Sequence, residues 1–102
     1  MGRSQTELQA IFEALDGSPN VYFQPPPNVS MSYPAIVYHR DDIDTKFANN
    51  RPYSLTKRYL VTVIDRDPNS SLVDQVASLP LSLFNRNFAA GNLNHDVFVL
   101  YF

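Results

Sequence analysis

Lys57-Arg58-Tyr59-Leu60-Val61-Thr62-Val63-Ile64 is the stretch that decides the fold. From Tyr59 onward it is aromatic, aliphatic or β-branched, with no turn former among its residues. On the two-residue period of a strand, Tyr59, Val61 and Val63 point one way, and Leu60, Thr62 and Ile64 the other. Apolar groups on both sides imply that both faces are partly covered, which places this strand at the centre of a sheet.

Working back toward the N-terminus, Ala35-Ile36-Val37-Tyr38 reads as a second strand and Val21-Tyr22-Phe23-Gln24 as a third. Pro25-Pro26-Pro27 cuts the latter off, because proline cannot donate to a ladder. Residues 25–33 then read as a stiff connection. Ahead of them, Leu8, Ile11, Phe12 and Leu15 recur on a helical period. Ser4 followed by Glu7 is a capping box at the start of that helix, and Gly17 stands where it should stop. Residues 40–56 read as a long polar loop carrying Arg40, Asp41, Asp42, Asp44, Lys46 and Arg51, anchored by Ile43, Phe47, Tyr53 and Leu55. Ordering so long a loop costs entropy, which marks it as a candidate contact surface.

Toward the C-terminus, Asp65-Arg66-Asp67-Pro68-Asn69 breaks the strand, and Ser70 or Ser71 caps a second helix with Leu72, Val73, Val76, Ala77 and Leu79 on one face. Leu81 to Arg86 and Val97 to Phe102 are the last two strands, with a second long loop at 87–95 that includes Asn87, Asn92 and His95. The expected architecture is a single α+β domain over residues 1–102. Its two helices pack on a mostly antiparallel sheet of about five strands, in the order α-β-β-β-α-β-β.

Composition narrows the function. The 102 residues include no cysteine, which excludes disulfides, thiolate metal sites and cysteine nucleophiles. Eight basic against ten acidic side chains give a net charge of −2, unlike a nucleic-acid binder that relies on a global positive field. No apolar run is long enough to span a bilayer and no signal-peptide pattern opens the chain, so a small soluble intracellular domain is expected.

The polar clusters fit poorly with catalysis. His39 with Asp41, Asp42 and Asp44 has neither the spacing nor the glycine of a calcium loop and reads as a solvated rim. Asp65 and Asp67 flank Arg66 as nuclease carboxylates can, but they also suit a plain turn. His95-Asp96 lacks any nucleophile signature beside it. With only Gly2, Gly17 and Gly91 in the chain, no glycine-rich phosphate loop can form. Arg40, Arg51, Lys57, Arg58 and Arg66 are nearly cancelled by neighbouring aspartates, an interleaving that suits a polar interface between copies of one subunit. No catalytic residue, metal ligand or cofactor is therefore expected.

Two longer stretches carry a resemblance. Asn20-Val21-Tyr22-Phe23-Gln24-Pro25-Pro26-Pro27, with Met31-Ser32-Tyr33-Pro34-Ala35-Ile36-Val37-Tyr38, resembles the small head–tail joining proteins of long-tailed bacteriophages and prophages. Lys57 through Pro68 and Asn92-Leu93-Asn94-His95-Asp96-Val97-Phe98 are similar to the same group, and within it most similar to tail terminator, or tail completion, proteins. The resemblance implies an α+β subunit of the virion that forms a ring, usually a hexamer, at the head-proximal end of the tail tube. Its partners would be its own copies, the tail tube protein and a head–neck connector protein, with DNA passing transiently and no membrane involved. No catalytic motif is carried over from the family. The loops 40–56 and 87–95 are the expected ring and tube contacts, on our own reading of the residues. A head-side connector or head-closure role, or a small metal-dependent nuclease, are the alternatives.

Overall fold

The structure, a computed structural model, describes residues 4–15, 19–26, 28, 30–48, 51–67 and 69–102, and at 42–48 and 51–55 the backbone alone. The chain folds as α1 (Gln5–Glu13), β1 (Asn20–Phe23), β2 (Ala35–Ala48), β3 (Arg51–Asp65), α2 (Ser71–Ala77), β4 (Ser82–Ala90) and β5 (Leu93–Tyr101). The strands form one sheet in the order β1-β2-β3-β5-β4. β3 is thus central, as the alternation of Tyr59 to Ile64 predicts. β1 lies parallel to β2, and the other neighbours are antiparallel.

Local chemistry sets the helix starts. Ser4 Oγ accepts from the Glu7 backbone N–H at 3.3 Å, and Ser70 caps α2 by accepting from Leu72 N–H at 3.3 Å. The expected turn after β3 is built by two successive aspartates. Asp65 accepts from Asp67 N–H at 3.1 Å and Asp67 from Asn69 N–H at 2.9 Å. The helix stop at Gly17, like Pro27 and Pro68, lies outside the described residues.

Both helices cover the same face of the sheet. Leu8 and Phe12 from α1, with Leu72 and Val76 from α2, pack with Ile36, Tyr38, Tyr59, Val61, Val63, Phe98 and Leu100 in one buried cluster. The opposite face carries no helix among the described residues; Ala35, Ile64 and Val97 are buried there, while Val37, Leu60, Thr62 and Val99 are half-buried. The two faces of the central strand are therefore covered unequally, since each helix has one apolar stripe and both stripes seek the aromatic side.

Tyr38 is the hub of that core. It is fully buried, with Phe23, Phe12 and Tyr59 at ring-centroid distances of 4.9, 5.1 and 5.9 Å. Its hydroxyl is satisfied by two side chains on α1: Gln5 Nε2 donates to it at 2.6 Å, and it donates to Gln9 Oε1. Burial raises the ionisation of Tyr38 above the ordinary tyrosine value, against a smaller opposing effect of the Gln5 hydrogen bond. Tyr59 is likewise raised by burial, with Arg40 acting in the opposite direction. An unfolded tyrosine releases its proton near pH 10, before these two do, so the unfolded chain gains stability first. Thermal stability should accordingly fall as the pH rises through about 10. A Tyr38→Phe/Tyr59→Phe chain should show a flatter alkaline limb in melts taken from about pH 9 to about pH 11. An equal slope in both chains would remove these hydroxyls as the cause.

Candidate interaction surfaces

The two segments expected as loops are strands. Residues 40–56 are not a loop: β2 and β3 continue through them as a hairpin, pairing Asp42 with Arg58, Asp44 with Thr56, Lys46 with Ser54 and Ala48 with Arg51. The physical reason is ladder continuation, because a strand pair already in register extends at little further cost even with polar side chains. β5 pairs with β3 no further than Arg58, and β1 with β2 no further than Tyr38. Beyond those points the hairpin is a two-stranded arm leaving the sheet, and its turn at 49–50 lies outside the described residues.

Residues 87–95 are likewise a hairpin. β4 runs to Ala90 and β5 starts at Leu93, closed by Gly91-Asn92 with Gly91 at φ +63°. A two-residue turn of this hand needs a left-handed first residue, which glycine adopts without strain.

The predicted contact residues therefore fall into two groups, and the sheet separates them. Arg58 of β3 pairs with Tyr101 at the end from which the arm departs, whereas Asp65 pairs with Asn94 near the Gly91 turn. The arm and the β4–β5 turn lie at opposite ends of the sheet. In the first group, Arg40 and Asp41 are exposed at the base of the arm, where Asp41 Oδ1 accepts from Arg58 Nε at 3.0 Å. Asp42, Asp44, Lys46 and Arg51 are placed by backbone register alone, and their side chains lie outside the described residues. In the second group, Asn87 Nδ2 donates to Asp96 Oδ1 at 2.8 Å, Asn92 is exposed in the turn, and His95 stacks on Phe88 at 4.6 Å. His95 and Asp96 are successive strand residues and point to opposite faces, so they do not act as a pair.

Sequence reasoning missed an apolar surface along β4, whose Leu83 and Phe84 pair with Val99 and Phe98 toward the arm's end of the sheet and whose Phe88 pairs with His95 toward the turn. Leu81, Leu83, Phe84 and Phe88 are 66%, 60%, 59% and 41% exposed along or beside the edge strand β4. Leu81 holds a left-handed φ of +60°, unusual for a residue with a β-carbon, while its carbonyl accepts from Tyr101 N–H at 3.1 Å. Beside it, a groove of about 260 Å³ is lined by Leu8, Ile11, Leu79, Leu81, Leu100 and Phe102 among others. The signal was present in Leu81-Ser82-Leu83-Phe84, whose apolar residues fall on both faces of a strand that, among the described residues, has no neighbour on one side.

A second, polar cleft lies between Asn69, Ser70, Asp74, Asn87, Asn94 and Asp96. It brings together two carboxylates, and among the described residues no group of three or more metal-ligating side chains converges. Asp65 and Asp67 each use one carboxylate oxygen in the turn that follows β3. Among the described residues, no helix is long and apolar enough to cross a membrane.

Compared with protein-family models, with curated proteins and with solved structures, the chain matches none. The functional reading rests on its own residues and on the two surfaces just described.

Proposed function

We propose that this chain is a structural subunit of the phage neck, a tail terminator that caps the tail tube as a ring and joins it to the head. The observation that carries the reading is a pair of unlike surfaces, the arm that leaves the sheet and the outer edge of β4, neither of which meets a further strand among the described residues. A ring of identical subunits needs two such surfaces on every copy, one matching the other. The arm is polar and charged, whereas the β4 edge is apolar, so the two differ in the chemistry they offer to neighbours. The resemblance of residues 20–38 and 57–68 to tail terminator proteins supports the same assignment, with the virion as its site and the tube protein and head connector as partners. A net charge of −2 is compatible with DNA passing through the ring without being held.

The test is electron microscopy of lysates from a phage that lacks this gene. Unattached tails of irregular and excessive length beside filled heads are the expected result. Tails of normal length beside leaking or unjoined heads would move the protein to the head side of the neck. Intact infectious particles would overturn both structural roles.

A further inference from the structure

β4 is the last strand of the sheet, and its outer side meets no other strand among the described residues. It is nine residues long, about 30 Å at the rise of a strand. Edges of that length are usually blunted by charge, proline or irregularity. Here there is no proline, a single charge at Arg86, and one bulge between Phe84 and Arg86. With Leu83 and Phe84 more than half exposed, this edge is suited to accept another strand.

The arm supplies an unpaired edge of matching length. From 39 to 48, β2 has β3 on one side and, among the described residues, no strand on the other, since β1 ends its pairing at Tyr38. Acids outnumber bases in this segment, through Asp41, Asp42 and Asp44, whereas β4 holds one cation and no acid. In the ladder register Asp42 and Asp44 stand two residues apart on the arm, the alternate positions that an added strand would bring to Arg86.

The other edges match less well. Residues 51–57 include Pro52, which has no N–H to donate, and Arg51 and Lys57, which would meet Arg86 with like charge. β4 against a second β4, antiparallel and centred on the strand, sets Arg86 against Arg86. β1 is four residues long and runs toward Pro25 and Pro26.

The geometry points to strand addition between copies: residues 39–48 of one chain lie along β4 of the next, with Arg86 at the Asp42–Asp44 stretch. This rests on the assembly reading above and names its surface. Backbone hydrogen bonds supply the ladder, the exposed leucine and phenylalanine side chains are covered, and the charges fix the register. Because arm and edge are different surfaces, each added copy offers a fresh arm and a fresh edge until a ring closes.

Sedimentation of the full chain tests this. The wild type should self-associate, and Arg86→Glu and the pair Asp42→Lys/Asp44→Lys should each weaken association by about tenfold or more. The three changes in one chain should restore it. Melting curves confirm that each variant is folded, and the milder Arg86→Gln should fall between wild type and Arg86→Glu. The proposal is overturned if the triple variant associates as weakly as its parents, or if Arg86→Glu changes association while Asp42→Lys/Asp44→Lys leaves it at the wild-type level, which would indicate a β4 contact that does not involve the arm. A wild type that stays monomeric at its highest soluble concentration also overturns it. None of these results touches tail length in the gene deletion, by which the terminator role stands or falls separately.

Discussion

Replacing Phe12 with alanine should lower the free energy of unfolding by about 3–5 kcal/mol, as measured by the denaturant midpoint. Phe12 is completely buried and meets Tyr38 edge to face. Its loss removes the transfer energy of the ring and leaves a cavity that the rigid sheet cannot collapse to fill. Helix α1 has nine residues, too few to persist unaided, and depends on Leu8 and Phe12 to hold it down. As the helix loosens, the Tyr38 hydroxyl loses Gln5 and Gln9, leaving a buried polar group unsatisfied. Against a total of about 5–15 kcal/mol for a domain of this class, the variant should sit near the edge of folding. A change under about 1 kcal/mol would mean that α1 is not docked through this residue.

Removing Leu100, Tyr101 and Phe102 should abolish a cooperative melt. Leu100 is 1% exposed within the main cluster, and deleting a buried leucine side chain alone costs about 2–5 kcal/mol. The backbone adds to this. Phe102 N–H donates to Lys57 carbonyl at 2.9 Å and Tyr101 N–H to Leu81 carbonyl at 3.1 Å, so one short segment ties β5 to both β3 and the start of β4. A truncated chain that melted at the wild-type temperature with the same sharpness would contradict this placement.

The core was legible because its signals are local and periodic. Tyr59, Val61 and Val63 alternate, Leu8 and Phe12 are one helical turn apart, and Ser4 and Ser70 stand where caps must. The arm was not legible, because Arg40 to Thr56 has the composition of a loop. Its strand state comes from the β2–β3 ladder running on past the sheet, a tertiary effect that no window of the sequence carries. The β4–β5 hairpin is a different case. Gly91-Asn92 is a two-residue turn signal, but the polar and small residues around it, Asn87, Ala89, Ala90 and Asn94, masked the strands on either side. For the expected contact residues, the sequence showed neither their separation to opposite ends of the sheet nor the exposed phenylalanines of β4 beside them.

The central position of β3 also sets an order of events during synthesis. β2 and β3 are neighbours in the chain and can zip together as soon as residue 65 has left the ribosome, since their loop closes at little entropic cost. The other flank of β3 must wait for β5, which follows α2 and β4 in the chain and turns back from β4 to lie between it and β3. Until then, half of the hydrophobic layer, including Val61 and Val63, lacks Phe98 and Leu100. The nascent chain is a hairpin with an incomplete core, and the arrival of residues 93–101 converts it in one step into a cooperative domain.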